Sequence, residues 1–200
     1  MKIIGLTGPS GAGKQLVSAC FAEYGIPSID TDRVYHDLLI PPSACATELV
    51  ARFGPTVADT QGGIDRRALS AIVFAPGGER DLADLNRITH RYVWQETEEQ
   101  LKAFQANGCP AVILDAPALL DSDFPSYCHV IVSVLADFDT RLRRIMVRDG
   151  IDEEYASKRL TAQHDDAFFI EHSHYVLYND GEPSALRPGV ESILRKEGLL

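Results

Sequence analysis

The sequence predicts an α/β protein with a five-stranded parallel β-sheet flanked by helices. Short apolar runs rich in β-branched residues recur along the chain, and segments with helical patterns separate them. This order is typical of βαβ units and a parallel sheet. The chain has 200 residues and 45% hydrophobic content, enough for one good core with a smaller appended lobe.

The first elements are a strand, a glycine-rich loop and a helix. Residues 2–7 form an apolar run that predicts a buried parallel strand. After the loop, Leu16, Val17, Cys20 and Phe21 fall on one face of a helix. Gly25 follows the last apolar turn and predicts the end of that helix.

The middle of the chain is mostly helical in pattern. A second strand is predicted at 26–29, and it ends in Asp30-Thr31-Asp32. Residues 35–105 then read as helices that are interrupted by turn-forming residues. The interruptions are at 41–42, 62–63 and 76–78. Leu85, Ile88 and Tyr92 share one helical face and predict a buried side.

Three further strands complete the predicted sheet. Apolar runs at 111–115 and 130–135 predict buried strands, and 175–178 predicts a fifth strand. The turn Asn179-Asp180-Gly181 closes this last strand. Ligands of such sheets bind beyond the C-terminal strand ends, where the glycine loop, Asp30, Asp32 and Asp115 are expected.

The glycine loop carries the most specific functional signal. Gly8-Pro9-Ser10-Gly11-Ala12-Gly13-Lys14 fits the pattern G-x-x-x-x-G-K-[ST] up to its last position, which is Gln15. Backbone N–H groups of such a loop wrap around phosphate, and the lysine reaches the terminal phosphates. The loop therefore predicts a nucleotide kinase, but Gln15 replaces the hydroxyl that normally binds Mg²⁺.

Three carboxylates are candidates for chemistry. Asp30 and Asp32 could provide a general base for a substrate hydroxyl or an outer ligand of Mg²⁺. Either could instead cap the helix that is expected to start near Arg33, because Asp is a favoured N-cap. Asp115 ends an apolar strand in the manner of a Walker B aspartate, which holds Mg²⁺ directly or through water.

Composition excludes several function classes. The formal net charge of −10 argues against a general nucleic-acid binder. Four arginines, at positions 141, 143, 144 and 148, nevertheless form a local basic cluster suited to phosphate. No apolar run reaches the about 18 residues of a membrane span, and we expect no signal peptide. Scattered cysteines without C-x-x-C spacing favour a reduced, cytoplasmic protein.

Taken together, the motifs resemble the dephospho-coenzyme A kinase family over nearly the whole chain, from Ile3 to about Leu194. The matching segments, in chain order, are Gly5-Leu6-Thr7-Gly8, Ile29-Asp30-Thr31-Asp32, Arg52-Phe53-Gly54, residues 64–69 (IDRRAL), residues 85–90 (LNRITH), residues 117–121 (PALLD), residues 144–150 (RIMVRDG), and Arg159 with Gln163.

The resemblance implies a P-loop kinase fold and a role for each matching segment. It implies a core at about 1–34, 107–145 and 175–200, a helical substrate region at about 35–106, and a lid at about 146–174. ATP would phosphorylate the ribose 3′-hydroxyl of dephospho-CoA, with Asp32 as general base and Lys14 stabilising the transferred group.

The implied ATP-binding residues are Gly8, Ser10, Gly11, Ala12, Gly13, Lys14, Gln15, Leu16, Arg144, Arg148 and Asn179. The implied substrate-binding residues are Asp32, Phe53, Arg66, His90, Pro117 and Leu119, and the implied lid residues are Arg159 and Gln163.

The implied partners are ATP with Mg²⁺ and dephospho-CoA, bound by a monomer or weak homo-oligomer that contacts neither nucleic acid nor membrane. Asp115 would hold the metal, directly or through water, and Gln15 could contribute its amide oxygen.

Two alternatives stay open. The chain could be a related P-loop kinase for another nucleotide-like substrate, or a nucleotide-binding homologue whose catalysis Gln15 has impaired.

Overall fold

The computed structural model describes residues 1–116 and 118–200, without the side chain of Pro183. The chain divides into two compact units. The first consists of Met1–Asp30 and Phe104–Leu200, and the second of Thr31–Ala103.

The first unit contains a parallel sheet that confirms the predicted fold class. Its strands are β1 (Lys2–Thr7), β2 (Ser28–Asp30), β3 (Ala111–Asp115), β4 (Val130–Leu135) and β5 (Tyr175–Tyr178). Among the described residues the sheet has five strands, in the order β2-β3-β1-β4-β5, and each neighbouring pair is parallel. The C-terminal ends of all these strands therefore lie along one edge.

The described residues also form the following α-helices: α1 (Lys14–Ala22), α2 (Thr31–Leu38), α3 (Ala44–Phe53), α4 (Arg66–Val73), α5 (Glu79–Ala106), α6 (Phe138–Asp149), α7 (Glu153–Thr161), α8 (Asp166–Glu171) and α9 (Leu186–Lys196). The helix α5 is long, with 28 residues. None of the helices in the described ranges has the length and apolar character that crossing a membrane requires.

The core of the first unit lies between the sheet and two helices. Val17 and Phe21 of α1 and Val190 of α9 pack with Ile4 and Val132 from the central strands, and all of these side chains are fully buried. Burial of such side chains stabilises a fold by about 1.5–3 kcal/mol each. This packing fixes the position of α1, and with it the loop between β1 and α1.

The second strand begins later than the sequence pattern indicates. The prediction placed it at 26–29, but β2 spans Ser28–Asp30. The N–H of Ile26 donates to the carbonyl of Phe21, and the N–H of Gly25 donates to that of Ala22. These two bonds end α1 in a Schellman motif at Gly25, whose φ is +74°. The N–H of Ile26 is thus used at the end of α1 and is not available for a hydrogen bond within the sheet.

The second unit is helical, as predicted, and has its own core. Helices α2 to α5 are separated at the three predicted interruptions. Ile88 is buried, and Leu85 and Tyr92 pack beside it, which confirms the predicted face of α5. The guanidinium of Arg52 links α3 to α5 through hydrogen bonds to Asp81 and Asp84.

Candidate functional site: a phosphate loop and its supports

The glycine loop after β1 adopts backbone angles that side chains disfavour. Gly8, Gly11 and Gly13 have φ values of +141°, +80° and +93°. A β-carbon on Gly8 would lie 2.2 Å from the carbonyl oxygen of Val134, and one on Gly11 would lie 2.8 Å from that of Arg141. Glycine at these positions lets the loop pack tightly against β4 and α6.

The loop leads directly into the positive end of α1. Gly13 is the N-cap residue, and no described side chain caps this helix end or places a carboxylate in its first turn. Such a helix end attracts anions through its N–H groups and its dipole. The Lys14 ammonium lies across the loop and donates to the carbonyl of Gly8 at 3.3 Å. Strand, loop, helix end and lysine therefore have the arrangement of a phosphate-binding site.

Two side chains support the loop, one from the residue after β5 and the other from α6. Asn179, directly after β5, is only 2% exposed, and its Nδ2 donates to the carbonyl of Ala12 at 2.8 Å. Arg144 of α6 donates from Nη1 to the carbonyl of Gly11 at 3.2 Å and from Nη2 to that of Asn179 at 3.0 Å. The carbonyls of Gly11 and Ala12 are thus held from outside the loop.

A cavity of about 520 Å³ opens beside α6. Its lining residues are Thr140, Arg143, Arg144, Val147, Arg148 and Asp180. Val147 is 86% exposed and offers an apolar surface, whereas the arginines supply positive charge. The volume lies within the range of small-molecule sites. Cationic and apolar walls together are suited to a nucleotide.

The carboxylates at the strand ends are close in the sheet. Asp115 ends β3 next to Leu6 of β1, in register with it, and is 8% exposed. Asp30 of β2 pairs in register with Asp115. Within the described ranges, no group of three or more His, Cys, Asp or Glu side chains is arranged to hold a metal. The donor types at Asp115 and Gln15 nevertheless fit Mg²⁺, which is usually held by one or two carboxylates, water and substrate phosphates.

The structure differs from the prediction at the start of α2. The helix begins at Thr31 rather than near Arg33, so Asp32 lies inside its first turn. Asp32 therefore does not occupy the N-cap position of that helix. Its assignment as general base stays a prediction.

Residues of the predicted lid make three polar contacts in the first unit, one of them within the lid itself. Gln163, just after α7, accepts a hydrogen bond from the backbone N–H of Ser10 at 3.0 Å. Arg159 of α7 donates to Asp149 at the end of α6 at 2.7 Å. His164 lies 2.8 Å from the carboxylate of Asp121 and stacks on Phe168.

The predicted substrate residues lie in both units. Phe53 ends α3, with the Arg52 guanidinium 4.8 Å over its ring. Arg66 begins α4, and His90 lies on the exposed side of α5. Leu119, in the first unit, is fully buried and packs against Gly5. Pro117 lies outside the described residues, so its predicted role stays untested.

Sequence reasoning missed two features of this site. Asn179 was predicted only as an ATP-binding residue, and the structure adds that its side chain supports the loop from behind. Asp149 was predicted only as part of a segment that matches the family, yet it binds two arginines. Its position directly before Gly150, which ends α6, was the available signal.

The fold and the phosphate loop define a P-loop kinase. A family model described as dephospho-CoA kinase matches residues 2–184. The dephospho-CoA kinase of Geobacillus kaustophilus is 36% identical over 193 residues, which cover 96% of this chain and 95% of that protein. This chain belongs to the dephospho-CoA kinase family.

Solved structures agree with this fold. TT1252 from Thermus thermophilus superposes with a TM-score of 0.80 at 28% identity, covering 98% of this chain and 97% of that one. Dephospho-CoA kinase from Campylobacter jejuni has a TM-score of 0.63 at 21% identity, with 98% and 96% covered, and this likeness shows the shared fold.

Proposed function

We propose that this chain transfers the γ-phosphoryl group of ATP to the ribose 3′-hydroxyl of dephospho-CoA, the last step of coenzyme A synthesis. The observation that carries the proposal is the phosphate loop with Lys14 across it, in a chain that belongs to this kinase family over residues 2–184. Family membership favours this reaction over a different acceptor or an inactive homologue.

The loop and its supports would bind the ATP phosphates. Backbone N–H groups of the loop and the positive end of α1 would take the β- and γ-phosphates. The hydrogen bond from the Lys14 ammonium to the Gly8 carbonyl is long, at 3.3 Å, so the ammonium can turn from that carbonyl to a phosphate oxygen. There it would stabilise charge on the transferred group. The cavity with Arg144 and Arg148 would receive the rest of the nucleotide.

Asp32 would accept the proton of the attacking hydroxyl. Phosphoryl transfer needs little covalent help, so a positioned base and charge stabilisation provide most of the catalysis. Phe53, Arg66, His90 and Pro117 are proposed to bind the acceptor, whereas the predicted residue Leu119 is fully buried and not accessible to it. The lid residues Arg159 and Gln163 would close over the phosphates.

Mg²⁺ is proposed to accompany ATP. Asp115 would hold it, directly or through water, and the Gln15 amide oxygen could take the place of the usual hydroxyl. The ion would neutralise negative charge that develops on the phosphates. We also propose that the chain acts in the cytoplasm as a monomer or weak homo-oligomer and binds no nucleic acid.

Matched variants on one helix test the assignment of the base. Asp32→Asn should lower kcat by about 100-fold or more with dephospho-CoA, the usual contribution of a general base. Asp37→Asn, on the same helix and in an exposed pair with Arg33 at 3.8 Å, should stay within about twofold because it removes an exposed charge. Equal rates for the two variants would remove Asp32 as the base.

An acceptor panel tests the substrate. Dephospho-CoA, adenosine and shikimate should be offered separately with Mg-ATP, and ADP release followed. The proposal predicts a clear preference for dephospho-CoA. Faster ADP release with another acceptor would replace the proposed substrate and keep the kinase class.

A further inference from the structure

Asp149 forms a hydrogen-bonded cluster with two arginines of the first unit. Arg148 donates from Nε to Oδ1 of Asp149 at 2.7 Å and from Nη2 to Oδ2 at 2.8 Å. Arg159 donates from Nη1 to the same Oδ2 at 2.7 Å. Adjacent residues do not face each other within a helix, but Gly150, with φ of +64°, ends α6 here. The carboxylate can therefore turn back onto Arg148 and still reach α7.

The cluster lies beside the start of the phosphate loop. Arg148 Nη2 is 3.5 Å from the Ser10 hydroxyl. Gln163, four residues after Arg159, accepts from the Ser10 N–H at 3.0 Å. Both arginines are therefore held near the place where the loop would bind phosphate.

Stability alone does not account for this cluster. The side chains of Arg148, Arg159 and Asp149 are 55%, 47% and 24% exposed. Ion pairs with such exposure contribute little to stability. A carboxylate beside a phosphate site also repels the ligand, although the two guanidinium groups leave the cluster with a net charge of +1. Its presence is better explained by its effect on the arginines.

Charge and conformational freedom give that effect a physical basis. Two guanidinium groups close together repel each other, and each long side chain loses rotamer freedom when a ligand fixes it. A shared carboxylate relieves the repulsion and holds both groups in place before the ligand arrives. The two arginines in turn keep the pKa of Asp149 below its usual range, with Arg148 as the larger cause. The carboxylate is therefore charged at neutral pH.

We propose that Asp149 is a positioning residue for nucleotide binding, which holds Arg148 and Arg159 together beside the phosphate loop so that both can engage the ATP phosphates. The inference rests on the proposed use of ATP and assigns a role to a residue that does not itself contact the nucleotide.

Binding measurements test the proposal without turnover. Titration calorimetry with ATP should show that Asp149→Asn weakens binding by about tenfold, the change that one charge-assisted hydrogen bond supports. Adenosine, which lacks phosphates, should bind the variant and the parent equally well. Asp149→Glu should recover much of the ATP affinity because it restores the charge.

Glu154→Gln is the matched control. Glu154 lies on α7 with Arg159, and its carboxylate pairs with Lys158 at 2.6 Å rather than with either arginine. This variant removes the same charge from the lid and should stay within about twofold of the parent for ATP. Arg159→Ala combined with Asp149→Asn should lose less affinity than the two single losses predict, because the residues act together.

Three results would overturn the proposal: ATP affinity of Asp149→Asn within twofold of the parent, tighter ATP binding by that variant, or an equal loss of adenosine binding. Tighter binding would mean that Asp149 competes with phosphate, and a loss for both ligands would mean that it only maintains the fold. A parent that binds ATP but does not phosphorylate dephospho-CoA would contradict the proposed function and leave this inference standing. A parent that does not bind ATP would overturn both.

Discussion

The side chain of Asn179 and the backbone of Ala12 are joined by a hydrogen bond of 2.8 Å between two fully covered groups. The bond connects the end of β5 to the middle of the phosphate loop. Arg144 strengthens the connection, since it donates to the carbonyls of both Gly11 and Asn179. The conformation of the loop therefore depends on residues distant in sequence.

Asn179→Asp should destabilise the fold and weaken ATP binding. The substitution keeps the size of the side chain but replaces the N–H donor by a carboxylate oxygen that faces the Ala12 carbonyl. We expect the free energy of unfolding to fall by about 1–3 kcal/mol, as for a buried polar group left without its partner. Urea unfolding and ATP titration measure the two effects. Asn107→Asp, at an exposed turn, should change neither.

Gly13→Ala should weaken ATP binding by more than backbone strain alone would cause. A β-carbon at Gly13 would lie 2.2 Å from Nδ2 of Asn179, so the Asn179 side chain that supports the loop would have to move. Gly108→Ala is a matched control, because Gly108 has φ of +74° but nothing lies within 4 Å of its β-carbon position. In both variants, alanine in a left-handed backbone conformation costs about 1–2 kcal/mol. A similar ATP affinity in the two variants would show that the contact with Asn179 is unimportant.

Gln15→Ser should raise the kinase rate most at low Mg²⁺ concentration. The serine hydroxyl restores the usual metal partner of the loop, and such partners typically change metal affinity by about 10–100-fold. The rate should be measured against Mg²⁺ concentration at saturating ATP. Leu16→Ser, at the next and also exposed position, should bring no such gain. If the Mg²⁺ dependence of Gln15→Ser and the parent coincide, Gln15 has no part in holding the ion.

Glu197→Gln should lower the free energy of unfolding at neutral pH. It should also reduce the amount of stability that the protein loses in acid. Glu197 accepts hydrogen bonds from Lys2 at 2.8 Å and Tyr175 at 2.7 Å. These bonds, that of Lys2 first, lower the pKa of Glu197 in the folded protein. A lowered folded pKa contributes stability above the unfolded value, about 4.3, and this contribution disappears as pH falls through the folded pKa.

Urea unfolding at pH 7 and at about pH 3.5 measures this contribution. The parent should lose more stability on acidification than Glu197→Gln. Glu98→Gln, which removes one partner of an exposed pair with Lys102 at 3.5 Å, should follow the parent at both pH values. Identical acid sensitivity of parent and Glu197→Gln would contradict the assignment.

The sequence pattern predicted the fold well where apolar runs are unambiguous. The strands β1, β3, β4 and β5 occupy the predicted residues, because each is a mainly apolar run that is bounded by polar or turn residues. The observed bounds of β2 and the observed start of α2 differ from the predicted ones by two residues or fewer. At β2, the helix-capping hydrogen bond of the Ile26 N–H keeps this residue out of the strand that the sequence pattern predicted.

The site was predictable only in part. The loop residues follow from one motif, and the pairing of Asp30 with Asp115 follows from the parallel sheet. The contacts of Asn179 with Ala12, and of Gln163 with Ser10, join residues more than 150 positions apart. Such contacts depend on how helices and loops pack, which local periodicity does not specify.

The most direct test of the central claim is the product formed from dephospho-CoA and Mg-ATP. Phosphorus NMR or mass spectrometry should show CoA with a phosphate on the ribose 3′-oxygen, in amounts equal to the ADP released. Lys14→Ala should form neither product at a comparable rate. ADP release without CoA, or no reaction with the parent protein, would contradict the proposed function.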